Sequence, residues 1–448
     1  MSRLFFRIFV LLIVLYGSVF LYYPILHMNL GTIPLYLAFP ALLLSFYYYR
    51  LSAEPVPPWN GFTVKNVAFL VVITGLMAYG LIRGNPMWLI VRDSVPLLVF
   101  WLCLNLGRYD EVFLENDRFL TIVTIGVFAM VVIGLGVPSL GWEFGALSTE
   151  AVDAGSYRWQ THTAGYQIWR MVEFWPICFA IYVLGLDRGA KWKAAGIGLA
   201  AAYLITAVMF LKRAPSARWA MVAAMVLVLL PWKQRKPRVV AMLLVGALAV
   251  GLVFFVGKQM YSELMERFET GNTSSRFYEA QWMVSQMSAD EVLFGRGMGG
   301  SFRLPQGWGY GVGVHVIDGE IQRTDVHIGA FLFILKGGIV FLLTMAWLLL
   351  SILKPKPREW YLNPFNAAAY AILPVILLFT TTVESFPSVA NVSAACVWGL
   401  LAGRAFRPPE MSYTYVPANK LGSADLYMPE ASITDEPVED YADARADL

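Results

Sequence analysis

Residues 328–353 read IGAFLFILKGGIVFLLTMAWLLLSIL, a run that is apolar along most of its length. A helix needs about 20 mostly apolar residues to cross a bilayer, so the stretch predicts a membrane-spanning helix. Eleven similar runs occur elsewhere in the chain. The twelve predicted spans are approximately 8–26, 32–49, 66–82, 88–106, 119–137, 171–186, 194–211, 219–232, 239–256, 328–353, 365–386 and 392–405.

The composition agrees with a membrane protein. The chain has 448 residues, of which 58% are hydrophobic and 15% are charged. Soluble domains carry about 25% charged residues, so a soluble multidomain protein is excluded. Arg3 and Arg7 precede the first run, which has no small-residue cleavage site, so we expect an anchor and not a removable signal.

The distribution of Lys and Arg predicts the orientation. With the N-terminus inside, the inner segments carry sixteen of these bases and the short outer loops and helix edges carry six. Cytoplasmic loops are enriched in Lys and Arg, so both termini are predicted to be cytoplasmic.

We therefore predict an all-α polytopic membrane protein with about twelve spans. The membrane domain covers 1–405, and one large outer loop, 257–327, separates the ninth and tenth spans; we call it the long loop. Candidate N-caps at 272–275 and apolar spacing predict a helix over roughly 275–289 within it. Residues 406–448 hold nine acids and three bases, which indicates a disordered cytoplasmic tail that does not bind nucleic acid.

The three cysteines are Cys103, Cys178 and Cys396, and all lie inside apolar runs. Their number and spacing fit neither a metal site nor a disulfide framework. We interpret them as core residues.

Several bases lie on the outer side against the usual bias. Arg213 and Arg218 lie in the turn between the seventh and eighth spans. Arg276 and Glu279 share one face of the loop helix, and His327 lies where the long loop enters the tenth span. Taken singly, the arginines could snorkel and the histidine could pack. Together they predict an anionic ligand, since arginine binds phosphate through paired hydrogen bonds and histidine can accept a proton at neutral pH.

Other residues are weaker candidates. Arg296 lies in the glycine-rich stretch 295–300, which is either a plain turn or a phosphate-contacting one. Trp308 and Tyr310 could stack on a sugar or anchor at the interface. Two charged pairs also stand out: Arg92 with Asp93 in the fourth predicted span, and Arg170 with Glu173 at the start of the sixth. Ionisable residues within the membrane are candidates for function or for fixing helix packing.

With these features the sequence resembles the bacterial O-antigen ligase and O-antigen polymerase superfamily. Its members have about twelve spans and a large late periplasmic loop, which opens with an Arg and a Trp-bearing helix, passes a Gly-rich turn and closes with a His. The corresponding stretches here are 276–282 (RFYEAQW), 293–300 (LFGRGMGG) and His327, with Gly338 eleven residues later. The resemblance covers nearly the whole chain except the tail.

The resemblance implies metal-independent glycosyl transfer without a cofactor at the periplasmic face of the bacterial inner membrane. The donor would be a glycan on undecaprenyl diphosphate, held by Arg276 and by Arg213 or Arg218. His327 would deprotonate or orient the acceptor hydroxyl. Glu279, Arg296, Arg170, Trp308 and Tyr310 are candidate substrate contacts, and the membrane lipid, a flippase and a chain-length regulator are compatible partners.

Two alternatives remain beside a polymerase of repeat units. A ligase would transfer the glycan to a lipid A core; ligases more regularly carry a polar residue after the His, where this chain has Ile328. A transporter or flippase of lipid-linked glycan would also have twelve spans. That class usually shows two similar halves and a long central inner loop, whereas here the longest loop is off-centre and outside.

Overall fold

The computed structural model describes residues 1–16, 33–52, 61–109, 273–305, 314–317, 319–352, 370 and 392–406. The described part is mostly helical. Its longer helices are α1 (Ser2–Tyr16), α2 (Ile33–Ser52), α3 (Gly61–Ile82), α4 (Met87–Tyr109), α5 (Thr273–Ser285), α7 (Gly329–Ile352) and α8 (Val392–Ala405), and the short helix α6 covers Ala289–Phe294.

Three helices are long and apolar enough to cross a membrane. These stretches are Val64–Ile82 in α3, Met87–Gly107 in α4 and Gly329–Leu348 in α7. They coincide with the predicted third, fourth and tenth spans, so the membrane class of the protein is confirmed. The predicted fifth to ninth spans, the eleventh span apart from residue 370, and the tail over 407–448 lie outside the described residues.

Helix α4 is the centre of the helical packing, since it contacts α2, α3 and most extensively α8. The rings of Phe69 and Phe100 meet edge to face across α3 and α4, with centroids 5.8 Å apart. The side-chain amides of Asn66 and Asn105 exchange hydrogen bonds of 2.8 and 3.0 Å beside them. Buried polar groups that satisfy each other in this way fix helix register without an unpaired donor or acceptor.

The long loop contains two helices where the sequence predicted one over 275–289. Helix α5 ends at Ser285, and α6 begins after Ser288, whose side chain accepts from the backbone N–H of Glu291 while the Glu291 carboxylate accepts from the Ser288 N–H. This reciprocal capping satisfies two N–H groups at a helix start. The capping residues therefore define a new helix where the apolar spacing alone suggested continuity.

The all-α prediction is wrong for the end of the long loop. Strands β1 (Phe302–Arg303), β2 (Val314–Ile317) and β3 (Glu320–Arg323) form an antiparallel sheet in the order β1-β3-β2. Val316 pairs with Ile321 and Ile317 with Glu320, and Gly319 has a φ of 77° in the connection between the two strands. A two-residue Asp-Gly connection favours a tight hairpin because both positions tolerate positive φ.

Helix α7 is interrupted at Gly338, where φ is 67° and ψ is −167°. A Cβ at this position would lie 2.1 Å from the carbonyl oxygen of Leu293. Only glycine combines this backbone conformation with this closeness. The interruption lets the end of α6 lie directly against α7.

Candidate functional site

The predicted residues Glu279 and His327 meet at the start of α7. The imidazole Nδ1 of His327 lies 2.7 Å from Glu279 Oε2, and the backbone N–H of His327 donates to the same oxygen at 3.2 Å. Glu279 is buried, with 1% of its side chain exposed, whereas 47% of the His327 side chain is exposed. The carboxylate is thus enclosed by protein and the imidazole lies at the surface.

An apolar cluster brings the two residues together. Ala280 and Met283 on the inner face of α5 pack against residues at the start of α7 and on β1, and the buried members of this cluster are Ala280, Met283, Phe302, Val326, Ile328, Leu332 and Leu335. Glu279 immediately precedes Ala280, and His327 lies between Val326 and Ile328. Burial of the apolar neighbours therefore fixes the separation of the charged pair.

The contact determines the tautomer of His327. An ionised carboxylate only accepts hydrogen bonds, so Nδ1 carries the proton that is donated to Glu279. In neutral imidazole the other nitrogen, Nε2, is then an acceptor. This is the arrangement in which a carboxylate orients a histidine that acts as a general base.

Arg323 is the third member of the site. Its Nη1 lies 3.0 Å from Glu279 Oε1, and its Nη2 lies 3.3 Å from His327 Nδ1. Glu279 Oε1 and Arg323 Nε both lack a hydrogen-bond partner among the described residues. The guanidinium side chain, 12% exposed, nevertheless brings a positive charge to the buried carboxylate.

Electrostatics keep Glu279 ionised. Burial alone would raise the pKa of this carboxyl, but the hydrogen bond from His327 and the charges of His327 and Arg323 lower it more, and the net pKa is below its usual value. The site therefore combines a fixed negative charge, an arginine and a partly exposed imidazole.

The other predicted site residues have different positions. Arg276 lies three residues before Glu279 on α5 and is partly buried, so it is on the same helix face as the carboxylate. Arg213, Arg218, Arg170, Trp308 and Tyr310 all lie outside the described residues. Their predicted roles, like that of Arg276, stay predictions.

Arg296 points into the protein. Its side chain donates to Glu291 Oε2 at 3.0 and 3.1 Å and to the carbonyl oxygen of Ser301 at 2.6 Å. Glu291 also pairs with Arg83, which lies in the turn between α3 and α4. Asn85, from the same turn, donates to the carbonyl oxygens of residues 296 and 298. These contacts join the long loop to the α3–α4 turn.

The glycine-rich stretch 295–300 packs between helices. The N–H groups of Arg296 and Met298 donate to the carbonyl oxygens of Leu335 and Leu76, at 2.8 and 3.1 Å. A Cβ on Gly297, which has a φ of 79°, would lie 2.5 Å from the Cα of Gly80. The backbone donors of this turn are therefore directed to protein acceptors, which supports the plain-turn interpretation over phosphate contact.

A second cluster of charged residues surrounds Asp93 of α4. Lys336 of α7 pairs with Asp93 at 2.5 Å, and each of these side chains is 1% exposed. Arg92 contacts the same carboxylate and also reaches Thr324 and His315. We call these five residues the Asp93 cluster.

Two loop residues, one in the Asp93 cluster and one beside it, have shifted pKa values. Burial and the charge of Arg92 lower the pKa of His315 to about 4, so this imidazole is neutral at pH 7 and its Nε2 can accept from Arg92. Burial and the Asp93 charge raise the pKa of the nearby Asp325 carboxyl. The loop side of the cluster thus holds one neutral histidine and one carboxyl that resists ionisation.

Arg323 and Lys336 are not among the site residues predicted from the sequence. Arg323 precedes His327 by four residues, but strand β3 ends between them, so a helical spacing rule would not relate the two. Lys336 did carry a signal, because a lone charge in a 26-residue apolar run marks a candidate for pairing or function. Its partner, 243 residues earlier in the chain, could not be found from the sequence.

No family model fits the chain, and no curated protein matches it. Among the described residues there is also no group of three or more His, Cys, Asp or Glu side chains that could hold a metal ion. Metal-independent chemistry stays a prediction.

Proposed function

We propose that this protein is a membrane glycosyltransferase that polymerises lipid-linked oligosaccharide repeat units into an exported polysaccharide. The observation that carries the proposal is the Glu279–His327 pair, in which a buried carboxylate orients an exposed imidazole beside Arg323. The pair lies where the long loop meets α7, a helix long enough to cross the membrane. A lipid-linked substrate would present its reacting sugar at such a boundary.

In the proposed reaction His327 acts as the general base. Its Nε2 accepts the proton of an acceptor sugar hydroxyl while the hydroxyl oxygen bonds to the anomeric carbon of the donor. The bond from that carbon to the diphosphate oxygen breaks, and undecaprenyl diphosphate leaves with the bonding electrons. Glu279 stabilises the imidazolium that forms, as the aspartate does in the Ser-His-Asp triads of hydrolases.

The leaving diphosphate needs positive partners. We assign this role to Arg276 and to Arg213 or Arg218, each of which could stabilise the developing charge by about 3–4 kcal/mol if it donates directly. In this proposal the long loop is periplasmic, the protein lies in the bacterial inner membrane, and both termini are cytoplasmic.

The test uses a deletion strain complemented with wild type, His327→Ala or Arg276→Ala, followed by gel analysis of surface and lipid-linked glycans. A polymerase predicts single repeat units in place of long chains in both variants. Long chains trapped on the carrier lipid, together with bare lipid A core, would instead identify a ligase.

Arg303→Ala is the matched control. Arg303 is another loop arginine, paired with Glu320, and 70% of its side chain is exposed, so we expect wild-type chains from it. Wild-type glycans from well-expressed His327→Ala and Arg276→Ala would refute the site. Loss of lipid-linked units from the outer leaflet would favour a transporter.

A further inference from the structure

Asp93 connects three separate parts of the chain. Its Oδ2 accepts from Lys336 Nζ of α7 at 2.5 Å and from the backbone N–H of Gly299 at 3.2 Å. Its Oδ1 accepts from Arg92 Nε and Nη2 at 3.1 and 2.9 Å. The Lys336 ammonium also donates to the carbonyl oxygen of Gly300 at 2.8 Å. One buried carboxylate thus joins α4, α7 and the glycine-rich turn.

Arg92 extends this connection to the segment that carries His327. Its guanidinium donates to the Thr324 hydroxyl and contacts Nε2 of His315 on β2. Thr324 directly follows Arg323 and lies three residues before His327. The position of residues 323–327 relative to α4 is therefore set by a side chain that Asp93 holds in place.

Stability alone does not account for so many buried charges. Removing two charges from water costs more than their attraction often returns, and apolar replacements of buried ion pairs are frequently neutral or stabilising. Ionisable residues within membrane helices are by default candidates for function. Unlike an apolar contact, the Asp93 cluster provides directional hydrogen bonds between helix α4 and the loop segment that contains Thr324.

We propose that Asp93 and Lys336 are positioning residues that hold residues 323–327, through Arg92 and Thr324, so that the His327 imidazole stays aligned with Glu279. The catalytic consequence rests on the proposed function. The alignment itself does not, and the two are measured separately.

Alignment is measured by the rate at which diethyl pyrocarbonate modifies His327, followed by peptide mass spectrometry on the full-length protein in nanodiscs. A carboxylate on Nδ1–H raises the electron density at the other ring nitrogen, as it does for metal-bound histidines. We therefore expect slower modification in Glu279→Gln, and the same slow rate in Asp93→Asn.

Catalysis is measured with the carrier-lipid glycan that accumulates in the deletion strain, extracted and used as substrate. For Asp93→Asn we expect kcat to fall about 10–100-fold, the loss that small misplacements cause, with KM within about twofold of wild type because binding groups are retained. If Asp93→Asn does not fold, the double variant Asp93→Asn/Lys336→Met and the milder Thr324→Val take its place.

Arg83→Gln is the matched control, because it removes another arginine–carboxylate contact between a membrane-helix turn and the loop. It should leave the His327 rate and kcat unchanged. Wild-type His327 modification in folded Asp93→Asn or Thr324→Val would overturn the inference, and so would an equal effect of Arg83→Gln. If wild type elongates no glycan, the proposed function fails while the modification rates still decide the positioning role.

Discussion

The variant Glu279→Gln tests whether the Glu279 carboxylate acts in catalysis or only stabilises the fold. The glutamine amide has nearly the shape of the carboxylate but no negative charge to stabilise an imidazolium at His327. In the proposed mechanism the imidazole would then accept the substrate proton far less readily. The substitution therefore weakens the proposed general base without removing the histidine.

The expected loss is large. General base catalysis contributes about 10²–10⁴ in rate, which corresponds to about 3–5 kcal/mol at 1.36 kcal/mol per factor of ten. The same substitution leaves the Arg323 guanidinium without its carboxylate in a site where 12% of the side chain is exposed. Breaking a buried ion pair on one side costs roughly 3–5 kcal/mol of folding stability, so both quantities must be measured.

The assay is elongation of lipid-linked glycan by purified protein, with thermal unfolding followed in parallel by circular dichroism. Glu291→Gln is the matched control: Glu291 is another buried loop carboxylate paired with an arginine, and it should lower stability without lowering kcat. The double variant Glu279→Gln/Arg323→Met should regain stability and remain inactive. A folded Glu279→Gln protein with the wild-type rate would refute the proposed role of the pair, as would equal inactivation by Glu291→Gln.

Three further predictions test the fold and its electrostatics. Gly338→Ala should destabilise the protein by about 1–3 kcal/mol, because the position has positive φ and no room for a Cβ. The control Gly75→Ala, with nothing within 4 Å of its Cβ, should not lower the thermal midpoint, and equal midpoints for both variants would contradict the α7 geometry. Cys103 and Cys396 lie with sulfurs 3.6 Å apart, so copper-phenanthroline oxidation should cross-link them, as read by mass spectrometry, and serine at either position should abolish the product. The pKa of Glu279 is lowered in the folded state, so its stabilising contribution is fully present above the unfolded pKa of about 4.3 and is lost as pH falls through the folded pKa. The difference in thermal midpoint between wild type and Glu279→Gln should therefore shrink below about pH 4. A constant difference would argue against an ionised carboxylate.

The short strands show where local sequence reasoning fell short. Residues 314–323 read VHVIDGEIQR, and the central Asp-Gly pair is a known hairpin signal. The all-α prediction assigns no strand here, because strands of four residues carry little periodic signal. The sheet matters for the site, since β3 ends at Arg323, which contacts both Glu279 and His327.

The sequence by itself determined that this is a membrane protein and where three of its described spans lie. Insertion into a bilayer depends on the composition of about 20 contiguous residues, and that information is local. Helix α5 of the long loop begins at Thr273, two residues before its predicted start at 275, because the signal for a helix N-terminus is local too.

Only the tertiary structure decided which charged groups meet. Glu279 and His327 are 48 residues apart, and Asp93 and Lys336 are 243 apart. An ion pair needs its nitrogen and oxygen atoms within about 4 Å of each other, so the packing of helix faces and turns decides which charged groups can pair. That packing depends on close backbone approaches, as at Gly297 and Gly338, which no spacing in the sequence encodes.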